Sequence, residues 1–166
     1  MHALTTIKGF FFPTINRRYV LRVILLAFCA AIVFRYLATP FYIHGESMLP
    51  HYRSRGITFG WRLAYLRSEP RRGDLVLIRT TGSRVVLLKR VVALPGETVE
   101  FLNGDLFING RRYHEPYAVL PSEWDLEPRT VDEAHYYVVG DNRSMPINEH
   151  VFGQVDQNRI IGKPLW

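Results

Sequence analysis

Residues 85–108 read VVLLKRVVALPGETVEFLNGDLFI, and this stretch decides the fold class. Its first ten residues are mostly β-branched or aliphatic, which favours a strand, and Pro95-Gly96 marks a turn after them. Two further apolar runs follow, with Asn103-Gly104 between them. Asn-Gly between apolar runs is a strong signal for a β-hairpin. We therefore predict a strand followed by a hairpin that spans Glu97 to Arg112.

Other β-rich runs lie on both sides of this stretch, at Ile57 to Tyr65, Asp74 to Arg79 and Tyr136 to Val139. Residues 116–130 are polar and contain proline, so we expect a surface excursion there. Short strands at this spacing, without helices between them, are typical of all-β domains. The fold class predicted for residues 41–166 is mainly β, a compact β-barrel or sandwich.

The net charge of +6 is concentrated near the N-terminus. Residues 1–22 carry four Lys and Arg and no acid, whereas residues 36–166 hold nearly equal numbers of bases and acids. A basic tail alone could bind nucleic acid. A basic tail that runs into an apolar segment fits the positive-inside rule of membrane proteins better. We therefore predict contact with the lipid bilayer and none with nucleic acid.

The apolar segment is VLRVILLAFCAAIVFRYL, residues 20–37. Its uninterrupted core is short for a spanning helix, which needs about 20 apolar residues, but flanking arginines can reach the headgroups. We predict a basic cytoplasmic tail at residues 1–18, a transmembrane anchor helix at 19–40 and a catalytic domain at 41–166. A cleavable signal peptide and a buried core helix are the alternatives.

No metal site or cofactor is predicted. Cys29 is the single cysteine of the chain, so neither an internal disulfide nor a cysteine cluster for metal binding is possible. The histidines lack the HExxH spacing of a zinc peptidase. They also lack the nucleophile-elbow context of a Ser-His-Asp hydrolase.

Ser47 and Lys89 are the candidate catalytic residues. Ser47 lies in Gly45-Glu-Ser-Met-Leu-Pro50, directly after the apolar segment, and Lys89 lies within the long apolar run. A serine hydroxyl is a weak nucleophile without a nearby base. A lysine can be that base only if burial destabilises its ammonium, and apolar neighbours provide such burial. The order predicts a serine–lysine peptidase held at a membrane surface.

Four motifs in order resemble the type I signal peptidases, which are membrane-bound Ser/Lys endopeptidases. They are Gly45-Glu-Ser-Met-Leu-Pro50, Arg72-Gly-Asp-Leu-Val76, Lys89-Arg-Val-Val-Ala-Leu-Pro-Gly96 and Gly140-Asp-Asn-Arg143. The resemblance covers residues 41–166 and the anchor arrangement. It implies removal of signal peptides from exported preproteins. It also implies a bacterial cytoplasmic membrane, with the N-terminus inside and the catalytic domain on the outer or periplasmic side.

The resemblance also implies a role for each matched residue. Ser47 matches the nucleophile, whose backbone N–H supplies one oxyanion donor, and Lys89 matches the general base. Positions that contact small substrate side chains or follow the nucleophile match Phe41, Ile43, Met48 and Leu88. The structural segment that supports the lysine strand matches Gly140, Asp141, Asn142 and Arg143.

The chain departs from the family pattern at two places. Gly45 stands where some members have a serine as the second oxyanion donor. After Arg143, Pro146 replaces a hydroxyl residue, while Asn148 and His150 replace the partners of a salt bridge. We therefore expect Lys89 to be oriented by another acceptor, either Ser144 or a backbone carbonyl. A dedicated conjugative-pilin or mitochondrial inner-membrane-type peptidase and a non-catalytic membrane-tethered β-domain remain the alternative functions.

Overall fold

The computed structural model describes residues 16–43, 45–80 and 86–165. The chain divides into two compact units, with the boundary between Leu37 and Ala38. Most of the predicted basic tail lies outside the described residues.

The first unit is helical. Helix α1 spans Arg17–Ile32, and a π-helical turn, Val33–Leu37, follows it. The Asn16 side chain accepts a hydrogen bond from the Tyr19 backbone N–H at 2.9 Å and caps the helix start. Leu25, Leu26 and Phe28 are more than 60 % exposed within this unit.

The predicted transmembrane helix at residues 19–40 is corrected at its C-terminal end. Its last residues are extended, because Ala38–Tyr42 forms a strand that pairs with Ile57–Trp61. Among the residues that the structure describes, no helix is both long enough and apolar enough to cross a membrane.

The second unit consists of two antiparallel sheets. The strands are β1 Ala38–Tyr42, β2 Ile57–Trp61, β3 Leu75–Arg79, β4 Val86–Ala93, β5 Thr98–Leu102, β6 Asp105–Ile108, β7 Arg111–Arg112, β8 Leu126–Thr130, β9 His135–Val139, β10 Gly153–Asp156 and β11 Ile160–Pro164. The seven-stranded sheet has the order β1-β2-β11-β3-β4-β9-β10, and the four-stranded sheet has the order β7-β6-β5-β8. Short 3₁₀ turns, Ile147–Glu149 and Gln157–Arg159, flank β10.

The mainly β prediction is confirmed, but the barrel alternative is wrong for the described residues. The seven-stranded sheet has two ends, β1 and β10, which each pair on one side within the sheet. The hairpin prediction is confirmed, since β5 pairs with β6 around Asn103-Gly104. Both turn residues have positive φ, 50° and 81°, as a tight hairpin of this kind requires.

Buried side chains of the described residues form three hydrophobic clusters, and alternation along β3 assigns its residues to two of them. Val76 and Ile78 belong to one cluster, and Leu77 belongs to another with Met48 and Leu88. The largest cluster joins the two sheets through residues of β4, β5, β6 and β9 and the buried Trp124.

The register of β4 positions the candidate site. Lys89 is opposite Val76 of β3, and its neighbour Arg90 is opposite Val139, the last residue of β9. Residues 140–143 therefore leave the sheet beside the middle of β4.

Candidate active site

Ser47 lies in the loop between β1 and β2. Two backbone hydrogen bonds hold the base of this loop, from Ile43 N to Gly56 O at 2.8 Å and from Arg55 N to Ile43 O at 3.0 Å. The next residue, Met48, is only 2 % exposed and packs with Leu77 and Leu88. Burial of Met48 anchors the serine turn onto the sheet.

Lys89 reaches Ser47 from the centre of β4. Its Nζ lies 2.8 Å from Ser47 Oγ, within hydrogen-bond distance. The Lys89 side chain belongs to the buried polar residues, at 2 % exposure. Burial lowers the pKa of Lys89 to about 8, although the negative charge of Asp141 acts in the opposite direction. At pH 7 about one Lys89 in ten is then neutral and able to accept a proton.

The segment 140–143 supports the serine loop through its backbone and one amide side chain. Asn142 N donates to Ser47 O at 2.9 Å, and Asn142 Nδ2 donates to Glu46 O at 3.1 Å. Gly140 makes this approach possible, because an added Cβ would lie 2.1 Å from Ser47 O. Two hydrogen bonds and one close approach thus join the segment to the nucleophile loop.

Asp141 connects the same segment to the lysine strand. It is fully buried and accepts two hydrogen bonds from Arg90, from Nε at 2.7 Å and from Nη2 at 2.6 Å. Arg90 also donates to Gly73 O at 2.7 Å. His51 Nδ1 lies 3.2 Å from the Asp141 carboxylate at the surface side of the pair. The bidentate ion pair fixes the residue that follows Lys89.

Arg143 is held by a partner that the sequence did not point to. Both of its terminal nitrogens donate to the Glu115 carboxylate, at 2.7 and 2.5 Å, and its Nε donates to Gly140 O at 2.9 Å. Both side chains of this ion pair are nearly fully buried. Glu115 belongs to no recognised motif, and its position just before a proline-containing polar stretch gives no signal of this role.

A small cavity of about 20 Å³ opens beside Ser47, roughly the room of one water molecule. Its walls include all four residues predicted to contact substrate: Phe41, Ile43, Met48 and Leu88. They also include residues that were not predicted, namely Tyr42, Thr58, Leu77, Val86 and Leu87. Cross-strand pairing of Phe41 with Thr58 explains why β2 contributes to this wall. In the sequence, only the alternation of buried and exposed positions along the strands could have indicated these additional wall residues.

The residues after Arg143 that depart from the family pattern differ in their exposure to solvent. Pro146 and Asn148 are exposed, whereas His150 is buried. Ser144 Oγ donates to Asn142 Oδ1 at 2.7 Å, so its hydroxyl is directed to the serine-supporting segment and not to Lys89. Gly45 has φ 91°, and a Cβ built there would meet no other atom within 4 Å. Among the described residues, no group of acidic, histidine or cysteine side chains could hold a metal ion.

Comparison with known proteins assigns the family. A family model described as signal peptidase, peptidase S26, matches residues 16–166, which is most of the chain. The chain belongs to the signal peptidase family. Members of this family are serine endopeptidases that remove signal peptides, and this protein is one of them. The resemblance inferred from the four motifs is thus confirmed.

Several bacterial relatives are similar over most of their length. A signal peptidase I of Leptolyngbya laminosa is 32 % identical, over 77 % of this chain and 67 % of its own. A probable signal peptidase I-1 of Synechocystis is 32 % identical, over 86 % and 78 %. A signal peptidase I of Bacillus amyloliquefaciens is 32 % identical, over 85 % and 79 %. The crystal structure of a signal peptidase I from Enterococcus faecalis is 28 % identical, with a TM-score of 0.47 over 58 % of this chain and 97 % of that one.

Proposed function

We propose that the protein cleaves signal peptides from exported preproteins with Ser47 as nucleophile and Lys89 as general base. The contact of 2.8 Å between Lys89 Nζ and Ser47 Oγ carries this proposal. The lowered pKa of the Lys89 ammonium supports it, because burial makes the neutral amine available near neutral pH.

The reaction proceeds in two stages. Neutral Lys89 takes the hydroxyl proton as Ser47 Oγ attacks the scissile carbonyl carbon, and the Ser47 backbone N–H donates to the developing oxyanion. The Lys89 ammonium then gives its proton to the leaving amine, and the C–N bond breaks. A water molecule attacks the acyl-enzyme ester while Lys89 takes its proton, and Lys89 then gives this proton to Ser47 Oγ as the ester bond breaks.

The substrate class follows from the cavity beside Ser47. Its walls are formed by the predicted contact residues Phe41, Ile43, Met48 and Leu88, and its small volume leaves room for a methyl or hydroxymethyl group. We therefore expect Ala, Gly or Ser at the last and third-last positions of the signal peptide, the A-x-A pattern.

The site of action is a bacterial cytoplasmic membrane, in contact with its lipid. The exposed apolar side chains of α1 and the basic residues before and within it support membrane anchoring with the N-terminus inside. The catalytic unit would then lie on the outer or periplasmic side. Protease protection in vesicles tests this topology. Digestion of residues 41–166 from the cytoplasmic side would contradict it.

Cleavage of a model preprotein in detergent tests the catalytic assignment. We expect Ser47→Ala and Lys89→Met to lose almost all activity. The matched controls, Ser68→Ala and Lys163→Met, change an exposed hydroxyl and a partly exposed amine and should cleave normally. Processing by Ser47→Ala at the wild-type rate would reject the mechanism.

A further inference from the structure

His150 is a buried titratable residue that the proposed reaction does not use. Its ring is 5 % exposed and lies edge-on to Trp124, with 4.7 Å between ring centroids. Nε2 accepts a hydrogen bond from Gly140 N at 2.9 Å. A histidine nitrogen that accepts must carry a lone pair, so the single ring proton is on Nδ1. His150 is therefore a neutral imidazole that serves as an acceptor.

The surroundings of His150 keep it in this neutral form. Burial, together with the positive charges of Lys89 and Arg143, lowers the pKa of His150 to about 3. The aromatic side chains of Trp124 and Phe152 also pack against the ring. Protonation would remove the acceptor from Gly140 and add a third buried cation to this region.

Gly140 connects the imidazole with the nucleophile loop. A Cβ built on Gly140 would lie 2.1 Å from Ser47 O and 2.6 Å from His150 Nε2, so both groups lie directly against this glycine. Two residues later, Asn142 N donates to the same Ser47 carbonyl oxygen. The position of the Ser47 peptide thus depends on the position of Gly140, which directly follows β9.

We propose that His150 is a positioning residue for Ser47, acting through its acceptor bond to the Gly140 N–H. It touches no reacting atom. It fixes the position of Gly140, which lies directly against the Ser47 carbonyl oxygen. Ser47 Oγ is thereby kept within hydrogen-bond distance of Lys89. The inference rests on the proposed function of Ser47 and Lys89. Asn148 and His150 stand where other family members have a salt bridge, but Asn148 is exposed and His150 is neutral. The hydrogen bond from Gly140 N to His150 explains how this segment can still support the site.

Substitutions that separate hydrogen bonding from volume test this role. His150→Gln keeps an acceptor, the amide oxygen, and should retain kcat to within about threefold. His150→Leu keeps an apolar filling but leaves the Gly140 N–H without a partner. We expect its kcat to fall about 10- to 100-fold, the cost of a small misplacement of a catalytic group. KM should change little, because the cavity walls beside Ser47 are untouched.

Two controls separate positioning from loss of packing. Phe152→Leu removes an aromatic contact from the same cluster and keeps the hydrogen bond, so its kcat should stay near the wild-type value when the enzyme is folded. In the wild type, ¹⁵N NMR of the full chain in detergent should show His150 protonated at Nδ1. It should also show a coupling across the hydrogen bond between His150 Nε2 and Gly140 N. The NMR measurement does not depend on activity or on any variant.

The outcomes distinguish failure of this inference from failure of the proposed function. If the Gln and Leu variants are folded and have the same kcat, whether normal or reduced, the positioning role is overturned. An Nε2-protonated His150 in the wild type would overturn it as well. Wild-type cleavage by Ser47→Ala would reject the proposed function instead, whatever the His150 variants do.

Discussion

The activity of the enzyme should increase with pH through the titration of Lys89. Burial lowers the pKa of this ammonium from 10.5 to about 8. At pH 7 the neutral fraction is then about 1 in 10, compared with about 1 in 3,000 for an unperturbed lysine, a gain of roughly 300-fold. Below pH 8, kcat/KM should fall about tenfold per pH unit, because this parameter reports the free enzyme's base.

The same lowered pKa has a cost in folding stability. The unfolded chain binds the proton with the ordinary pKa of 10.5 and the folded chain with a pKa of about 8. Stability therefore rises with pH between these two values, and the full cost is present below pH 8. A shift of 2.5 units corresponds to about 3 kcal/mol at pH 7. The hydrogen bond to Ser47 offsets about 1 kcal/mol of it.

Lys89→Met removes the charge and should stabilise the inactive protein by about 2 kcal/mol at pH 7. The gain should disappear as pH approaches 10.5. Urea unfolding of wild type, Lys89→Met and the control Lys163→Met at several pH values gives these differences, and preprotein cleavage from pH 6 to 9 gives the activity profile. A flat activity profile, or a Lys89→Met variant less stable than wild type at pH 7, would refute the reasoning.

Three further substitutions test the surrounding contacts. Gly140→Ala drives a Cβ against Ser47 O, so we expect a loss of about 1 to 3 kcal/mol in urea unfolding and lower kcat, and unchanged stability would contradict the close approach. Glu115→Gln leaves Arg143 as a buried unpaired cation and should lower the free energy of urea unfolding by about 3 to 5 kcal/mol, and an unchanged value would contradict this role of the pair. Ile43→Ala widens the cavity beside Ser47, so peptides with Val at the last position should be cleaved faster relative to Ala; an unchanged ratio would reject the subsite.

The sequence predicted the elements whose signals are local. The hairpin at Asn103-Gly104 depends on turn residues that accept positive φ, and the β4 strand depends on an unbroken run of apolar residues. The family motifs also predicted that Ser47 and Lys89 act as a pair, although 42 residues separate them in the sequence. These features could be predicted because each one requires a particular residue type at a particular place.

Other features could not be predicted because they depend on tertiary pairing. Leu126–Thr130 is a largely exposed and polar stretch that contains proline, yet it forms a strand because β5 offers it a free edge. Residues 38–40 are extended for the same reason, since β2 pairs with them. The Glu115–Arg143 ion pair joins residues 28 positions apart with no shared motif. Partners of this kind are visible only after the sheets have formed.

The arrangement of charges around Lys89 explains how a buried lysine can lie near a buried carboxylate and still be a base. The Asp141 charge raises the pKa of the Lys89 ammonium, but burial lowers this pKa by more. Both Asp141 oxygens also accept hydrogen bonds from the guanidinium of Arg90, whose positive charge offsets the carboxylate at close range. Arg90 thus lets the segment 140–143 carry a carboxylate for anchoring while limiting how far that carboxylate raises the pKa of the base. The adjacent positions of Lys89 and Arg90 on β4 let one strand supply both the base and the counter-charge that keeps it available.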